Sequence, residues 1–369
     1  MSIDKHCVIK PSSIIKNLSA CFSFKPYRDV LFVSEGVDWV TTQEIKGLLS
    51  VTEKLGISCR QSGPLRIGLP RQSIFFPGVY FMKHPRRYLL GKNRIAFPYY
   101  HGYPSSGNPL FTKCFNNLKK YHQEITRIQV SHTYMRDLIL ETGISRDKVF
   151  LIPIAIEEDY FSKQTPESKI NARKKYDIPQ SAVVVGSFQK DGNGWGEGLE
   201  PKLIKGPDVF LETIKILKQK IPELFVFLSG PARGYVKKGL EQINVPYTHV
   251  YLENYPQIGQ LYQCLDLYIS ASRQEGGPKA VLESMASGIP LVTTRVGQAM
   301  DLVANEENGL MVEPEDSEAL AFYAAKVLSD STLRDSMTEN GLITAEKNTY
   351  SAHVPLWKKF FTGFVQASE

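Results

Sequence analysis

The chain has 369 residues, of which 42% are hydrophobic and 22% are charged, and its formal net charge at pH 7 is +6. This length favours two domains over one, and this composition is typical of a globular protein rather than a disordered one. No stretch approaches the roughly 20 apolar residues that a membrane-spanning helix needs. Charged residues at Asp4, Lys5, Lys10 and Lys16 interrupt the first 25 positions, which therefore do not resemble a signal peptide. The five scattered cysteines lack C-x-x-C spacing, which favours a reducing compartment and argues against structural zinc.

Positive charge is concentrated in the first half of the chain. Residues 1–165 contain 23 lysines and arginines but only 13 aspartates and glutamates. The remaining residues contain 21 basic and 25 acidic residues. No acidic residue occurs between Glu53 and Glu124, whereas twelve basic residues do. We expect this half to face something anionic: a membrane surface, a lipid-linked phosphate, an acidic glycan or nucleic acid. A solvated basic surface without a partner is the plainer alternative.

Predicted strands and helices alternate along this half. Apolar runs predict strands at residues 29–34, 65–68, 73–76, 94–98 and 128–131, and helical periodicity predicts helices at residues 39–55 and 132–142. His101 follows one of these strands, in the position where active sites of α/β folds collect, although a surface histidine in a tyrosine-rich loop is the alternative. Residues 162–180 are charged and contain Pro166 and Pro179, which is typical of an interdomain linker.

A second alternating series begins with a predicted strand at residues 182–187. The glycine-rich run at 190–198 lacks the helix immediately after it that a dinucleotide fingerprint requires, so we interpret it as a mobile loop over a ligand. Lys205 then precedes Gly206-Pro207, which starts an amphipathic helix. The remaining predicted elements are strands at 224–229 and 249–252 and helices at 258–264, 331–347 and 351–364.

The stretch at residues 267–294 has the pattern of a strand, a loop, a helix and a second strand. Pro278 suits the first helical position, because its fixed φ matches the helix and its missing N–H would have no partner there. The next amides, those of Lys279 and Ala280, are then free donors. Together with the helix dipole they favour a phosphate or diphosphate ligand.

Two glycines and two carboxylates flank this predicted anion site. Gly276 and Gly277 carry no Cβ, so a ligand can approach the backbone closely there. Glu275 lies in the loop before the helix and Glu283 in its second turn. Carboxylates are poorly placed to bind an anion but accept hydrogen bonds from sugar hydroxyls. The pattern therefore indicates a site for a sugar attached to a diphosphate.

These residues resemble a known family. Glu275 and Glu283 have the spacing E-x7-E within S-R-Q-E-G-G-P-K-A-V-L-E-S-M-A-S-G-I-P. This sequence is similar to the donor-site signature of retaining glycosyltransferases of family 4, which have the GT-B fold and use nucleotide sugars. Residues 143–161 and 308–320 resemble two further stretches of that family. The resemblance is strong over about residues 178–348 and weak across the acceptor half.

The resemblance also implies roles for individual residues outside this stretch. Lys205 matches the lysine that holds the donor diphosphate, and His101 matches a histidine close to the donor sugar. The arginine that the family has after Gly186 is absent here, and Lys190 is the candidate for its replacement, although a lysine cannot form a bidentate clamp. The adjacent glycines of the family's first turn are reduced to Gly36, which argues against a phosphate role for that turn.

The fold that the resemblance implies is α/β, with two Rossmann-like domains facing across a cleft. We place the acceptor-side domain at residues 1–164 and the nucleotide-sugar donor-binding domain at residues 165–349. A C-terminal helix within residues 350–369 is expected to cross back to the N-terminal domain. Its aromatic residues would pack there rather than form a ligand site.

The predicted reaction moves a sugar from a nucleoside diphosphate sugar of the UDP or GDP type to a hydroxyl acceptor, a glycan or a lipid-linked molecule at the membrane surface. The anomeric configuration is retained, and the leaving phosphate assists attack from the front face. The predicted catalytic residues are Glu275, His101 and Lys205. The predicted donor-binding residues are Lys205, Lys190, Glu275, Gly276, Gly277, Lys279, Ala280 and Glu283.

Neither a cofactor nor a metal is expected, since the chain contains no D-x-D pair. The expected location is the cytoplasm, with peripheral contact to an anionic membrane through the basic half as an option; nucleic acid is a less favoured partner. Two alternatives stay open: a nucleotide-sugar epimerase on the same fold, and an inactive GT-B protein that binds anionic membrane or nucleic acid. The missing arginine and the missing glycine pair favour the second.

Overall fold

The structure, a computed structural model, describes residues 26–33, 40–63, 70–89 and 91–366. The predicted turn around Gly36 and the predicted strand at residues 65–68 lie outside these ranges. Within them, no helix combines the length and the apolar character that a bilayer crossing requires.

Two six-stranded parallel sheets organise the described residues. The first, in the order β2-β1-β3-β4-β5-β6, contains β1 (Val30–Val33), β2 (Cys59–Ser62), β3 (Ser73–Phe75), β4 (Arg94–Pro98), β5 (Arg127–Val130) and β6 (Val149–Leu151). The second, in the order β12-β11-β10-β7-β8-β9, contains β7 (Val183–Phe188), β8 (Leu224–Ser229), β9 (Tyr247–Val250), β10 (Leu267–Ser270), β11 (Leu291–Thr294) and β12 (Leu310–Val312). We call the parts built on these sheets the N-terminal and C-terminal domains.

Helices cover the sheets. They are α1 (Val40–Lys54), α2 (Pro109–Tyr121), α3 (Thr133–Leu140), α4 (Pro166–Lys175), α5 (Pro207–Lys220), α6 (Gly234–Gln242), α7 (Ile258–Tyr262), α8 (Lys279–Ala286), α9 (Ala299–Leu302), α10 (Ser317–Ser329), α11 (Ser331–Glu346) and α12 (Val354–Phe361). Because helices pack on both faces, the strands are apolar on both sides; every residue of β8 is buried.

The strand order locates the binding crevice of the C-terminal domain. Read from β9, its sheet has the doubly wound order 3-2-1-4-5-6, whose direction of progression reverses between β7 and β10. In open α/β sheets, ligands bind outside the carboxyl ends of the strands at such a reversal. The loops that follow β7 and β10 are therefore the expected binding loops.

The C-terminal helix crosses back to the N-terminal domain as predicted. Trp357, Phe360 and Phe361 of α12 are buried in one cluster with residues of β1, β3 and α1. The ring of Phe75 in β3 lies 6.2 Å from that of Trp357 and 6.0 Å from that of Phe360. The prediction that these aromatic residues pack in the core is thus confirmed.

The prediction of a plain linker at residues 162–180 is wrong, because this segment contains α4. Thr165 and Ser168 form a capping box at its start, with Ser168 N donating to Thr165 Oγ1 over 3.1 Å. The buried Arg173 donates to three backbone carbonyls and forms an ion pair with Asp266 at 2.7 Å. These contacts attach α4 to the C-terminal sheet.

We predict that Phe360→Ala destabilises the protein by about 3–5 kcal/mol, because truncation of a fully buried phenylalanine loses its burial and leaves a cavity. Lys359→Ala, on the exposed side of α12, is the matched control. Urea unfolding followed by circular dichroism measures both. Equal unfolding midpoints for the two variants would contradict the packing of α12 described above.

Candidate active site

Lys205 and Glu275 meet at the sheet reversal. Glu275 follows β10, and Lys205 ends a 3-10 turn (Leu203–Lys205) before α5. The Lys205 ammonium forms an ion pair with Glu275 Oε1, and Ser272 Oγ donates to the same oxygen over 3.0 Å. Gly206 makes this approach possible: its φ is 62°, and a Cβ there would lie 1.9 Å from the carbonyl oxygen of Ala271.

His101 faces this pair from the N-terminal domain. It follows β4, and its Nε2 lies 3.3 Å from the hydroxyl oxygen of Tyr80. Burial lowers the pKa of His101 to about 4, the nearby Lys205 and Lys202 act in the same direction, and Glu275 opposes them. His101 is therefore neutral at pH 7. The structure thus brings together the three residues predicted to be catalytic.

Gly276 and Gly277 allow the two domains to pack closely. A Cβ on Gly276 would lie 2.5 Å from the carbonyl oxygen of Tyr100, and one on Gly277 would lie 2.4 Å from Ile154 Cδ1. Ser131 Oγ also donates to the carbonyl oxygen of Gly276 over 2.6 Å. Contact of a ligand with the backbone of these two glycines stays a prediction.

The start of α8 lies in the interface between the domains. The helix begins at Lys279, one residue later than predicted, and Pro278 is its N-cap. The Lys279 side chain forms an ion pair at 2.8 Å with Glu44 of α1 and is largely buried. Its ammonium lies 5.6 Å from the ring centroid of Tyr255. The lysine thus joins the domains, while the amides of Lys279 and Ala280 form the first turn of α8.

Glu283 does not face an open cleft, and its role as a donor-binding residue stays a prediction. Its side chain is buried: Oε1 accepts a hydrogen bond from the Tyr255 hydroxyl, and Oε2 accepts one from the Tyr262 hydroxyl over 2.9 Å. Burial raises the pKa of Glu283, although both tyrosines and Lys279 act in the opposite direction. The two tyrosine hydroxyls thus donate hydrogen bonds to the carboxylate that was expected to accept them from sugar hydroxyls.

The glycine-rich run is anchored, in contrast to the mobile loop that we expected. Gly192 and Gly198 pack against the backbone of Ala232. The carbonyl oxygen of Ala232 would lie 2.4 Å from a Cβ added to Gly192 and 2.1 Å from one added to Gly198. Asp191 forms a buried ion pair with Arg233 at 3.0 Å. Only the residues between the two glycines are exposed, so the run is fixed at both ends.

Lys190 lies at the edge of this site. Its ammonium lies over the ring of Trp195 at 3.7 Å from the centroid, a cation–π contact. The arginine missing after Gly186 has no direct replacement there, because the Arg233 guanidinium is fully buried and donates to the carbonyl oxygens of Ser187 and Ser229.

Sequence reasoning missed Lys202 and Tyr255. Lys202 is half-buried, and burial lowers its pKa together with the charges of Lys205 and Lys190, while Glu275 opposes them. The three-residue spacing between Lys202 and Lys205 is the sequence feature that could have identified Lys202. Nothing in the local sequence pairs Tyr255 with Glu283, which lies 28 positions further on.

Polar contacts hold the domains together around the site. Asp301 of α9 accepts hydrogen bonds from the backbone N–H and the hydroxyl of Thr133, each over 2.7 Å, and so caps α3 from the other domain. The Gln298 side chain accepts a hydrogen bond from the Ile154 amide over 2.7 Å and donates to the Ile154 carbonyl over 3.3 Å. The relative position of the domains is therefore specified by directional bonds.

A pocket of about 290 Å³ lies between the domains beside Glu275. The N-terminal domain lines it with the tyrosines Tyr103 and Tyr134, and the C-terminal domain with Gln274 and Arg295. The buried Nε2 of Gln274 has no hydrogen-bond partner among the described residues. Those residues also contain no cluster of three or more His, Cys, Asp or Glu side chains arranged to hold a metal.

We predict that the free energy of unfolding falls as the pH is lowered from 6.5 to about 4. Burial lowers the pKa of His101, His132 and His353 to about 4, so in this range the unfolded chain binds protons that the folded chain does not. His101→Gln should make the decrease shallower while leaving its direction unchanged. Urea titrations at several pH values measure this, and an unchanged slope would contradict the burial of a neutral His101.

Comparison with known proteins finds similar sequences and similar folds. Residues 199–343 match the family described as glycosyl transferases group 1. Over 194 residues the chain is 27% identical to the lipopolysaccharide core biosynthesis mannosyltransferase LpsB of Rhizobium meliloti, covering 50% of this chain and 52% of that protein. It is 25% identical over 203 residues to a D-inositol 3-phosphate glycosyltransferase of Corynebacterium urealyticum, covering 52% and 46%. The chain thus spans about half the length of the curated relatives it matches.

Solved structures with the same fold include HepE of Anabaena in complex with UDP-glucose, with a TM-score of 0.71 and 14% identity over 90% of this chain and 99% of that one. Sucrose-phosphate synthase of Thermosynechococcus elongatus gives a TM-score of 0.72 and 14% identity over 91% and 100%. These likenesses establish the predicted two-domain α/β architecture. The chain has the GT-B fold, and residues 199–343 are similar to the family described as glycosyl transferases group 1.

Proposed function

We propose that the protein transfers a sugar from a nucleoside diphosphate sugar to a hydroxyl acceptor with retention of the anomeric configuration. The observation that carries this proposal is the Lys205–Glu275 pair at the sheet reversal, with neutral His101 facing it across the domain boundary. The lysine supplies positive charge for a diphosphate. The carboxylate accepts hydrogen bonds from sugar hydroxyls.

In the proposed reaction the bond between the anomeric carbon and the diphosphate oxygen breaks, and the electron pair leaves with the diphosphate. The acceptor oxygen attacks the same face of the sugar and forms the new glycosidic bond, while its proton passes to the leaving phosphate oxygen. Negative charge builds up on the diphosphate as the bond breaks. Lys205 and the amides of Lys279 and Ala280 would stabilise that charge, and such preorganised electrostatics are usually the largest catalytic contribution.

A UDP-type donor is the first choice for experiments, since HepE, which shares the fold, has been crystallised with UDP and with UDP-glucose. A GDP-type donor stays in the proposal. Glu283 stays a proposed donor-binding residue, but its side chain is buried and its carboxylate already accepts hydrogen bonds from the Tyr255 and Tyr262 hydroxyls. The proposal therefore depends mainly on Lys205 and Glu275.

The acceptor is proposed to bind in the pocket beside Glu275. The rings of Tyr103 and Tyr134 lie 5.5 Å apart and form an aromatic wall that suits the apolar face of a sugar. The unpartnered Gln274 Nε2 offers a hydrogen-bond donor. A glycan or lipid-linked sugar fits this chemistry. We place the domain boundary near residue 164, between β6 and α4.

The basic surface of the N-terminal domain is proposed to face an anionic membrane that presents the acceptor. Lys83, Arg86 and Arg87 lie in two 3-10 turns packed on α2, which adds Lys113 to the same surface, and all four side chains are exposed. The pKa of the neighbouring His84 is lowered by partial burial and then by Lys113, Arg87 and Lys83, which reflects the local positive potential. Such a surface is attracted to anionic lipid.

We predict that one class among UDP-, GDP- and ADP-sugars raises the thermal stability of the protein and supports transfer. A ligand bound only by the folded state stabilises it by about 2.7 kcal/mol at one hundred times its Kd. Glu275→Gln and Lys205→Met should lower the transfer rate roughly 10²- to 10³-fold, whereas Lys215→Met on the exposed face of α5 should leave it unchanged. Differential scanning fluorimetry and nucleoside diphosphate release measure these effects.

Two outcomes would contradict the proposal. Isomerisation of the donor in the absence of any acceptor would identify an epimerase. Failure of all three nucleotide-sugar classes to stabilise the protein would indicate a GT-B protein without a donor.

We predict that the protein binds vesicles that contain phosphatidylglycerol, an anionic lipid, more tightly than neutral vesicles. Replacing Lys83, Arg86, Arg87 and Lys113 by glutamine should weaken this binding at least about 100-fold, since each basic residue near an anionic surface contributes about 1 kcal/mol. The matched control replaces four exposed lysines of the C-terminal domain by glutamine: Lys215, Lys220, Lys238 and Lys347. If the two variants co-sedimented equally with the vesicles, the basic surface would have no role in membrane binding.

A further inference from the structure

Lys202 and Lys205 lie on one face of a single 3-10 turn. In such a turn, residues separated by three positions have eclipsed side chains. Both lysines are half-buried, whereas the intervening Leu203 and Ile204 are 54% and 39% exposed. The amide of Lys205 donates to the carbonyl of Lys202 over 2.8 Å and closes the turn. The turn therefore directs both ammonium groups toward the site that contains Glu275.

The glycine-rich run fixes the other end of this turn. The amide of Lys202 donates to the carbonyl of Asp191 over 2.8 Å, and Asp191 is itself held by the buried Arg233. The Arg233 guanidinium is committed to Asp191, Ser187 and Ser229, so it is a structural group and does not bind a ligand. The run thus acts as a scaffold that carries Lys190 at its start and leads into Lys202.

Positive charge exceeds negative charge at this site. Lys202 interacts electrostatically with Lys205 and Lys190, and with the carboxylate of Glu275. Because the buried Asp191–Arg233 pair is neutral overall, the three ammonium groups and Glu275 leave an excess of two positive charges. Burial is the main cause of the lowered pKa of Lys202, and the charges of Lys205 and Lys190 add to it. A partly buried excess of this kind is stabilised by a ligand that carries about two negative charges, such as a diphosphate.

We propose that Lys202 is a donor-binding residue that supplies the second cation for the diphosphate, in place of the arginine that is absent after Gly186. The glycine-rich run is then the element that delivers this cation, and the Asp191–Arg233 pair fixes its position. This inference rests on the proposed function, because it takes the ligand between Lys202 and Lys205 to be the diphosphate of the donor.

The test compares UDP and uridine binding by isothermal titration calorimetry, with GDP and guanosine, or ADP and adenosine, substituted if UDP does not bind. Lys202→Gln should weaken nucleoside diphosphate binding roughly ten- to one hundredfold, the range for loss of one hydrogen bond to a charged group, and leave nucleoside binding unchanged. Lys202→Arg should retain most of the affinity, because it keeps the charge. Lys215→Gln, which removes an exposed lysine of α5, is the matched control.

The possible results separate this inference from the proposed function. If the wild-type protein binds no nucleoside diphosphate, the proposed function itself fails. If the wild type binds one and Lys202→Gln binds it equally well, only the role of Lys202 is overturned. Lys202→Met preserves the aliphatic packing, so it gives the same comparison should Lys202→Gln lower the folded fraction.

Discussion

The ion pair between Lys205 and Glu275 is the interaction on which the site depends. It joins the turn before α5 to the loop after β10, so it fixes the two segments that meet where the strand order reverses. Gly206 permits the approach because only a residue without a Cβ fits against Ala271. The pair also places a cation and an acceptor of hydrogen bonds side by side, as recognition of a sugar diphosphate requires.

The second constraint is the close contact between the domains. Gly276 and Gly277 remove the side chains that would hold the domains apart, and the bonds of Asp301 to Thr133 and of Lys279 to Glu44 fix their relative orientation. These contacts are mainly hydrogen bonds and one ion pair, and polar interfaces of this kind permit relative domain motion. In the arrangement seen here, His101 of one domain is held close to Lys205 of the other.

Much of the fold was predictable, because buried parallel strands produce apolar runs that are visible in the sequence. β8, for example, was predicted with the observed bounds. By contrast, the edge strand β2 (Cys59–Ser62) has no apolar run, and the charged helix α4 lacks the apolar stripe that identifies a helix. Both are specified by tertiary contacts: α4 depends on Arg173, whose partners Cys264 and Asp266 are distant in the sequence.

The sequence predicts the positions of Glu275 and Lys205 well, but not the surroundings of Glu283 or of the glycine-rich run. The motif around Glu275 and the position of Lys205 follow from local sequence, and the structure places them together. The surroundings of Glu283 do not follow from the local sequence. Its burial by Tyr255 and Tyr262 depends on how β9, α7 and α8 pack. The anchoring of the glycine-rich run likewise depends on Arg233, which lies some forty residues beyond Asp191 in the sequence.

The decisive measurement is a crystal structure of the protein with bound UDP. We expect the diphosphate to lie at the carboxyl ends of β7 and β10, with a phosphate oxygen within hydrogen-bond distance of Lys205 Nζ. A nucleotide bound elsewhere, with the Lys205–Glu275 pair unchanged and distant from any phosphate, would contradict it.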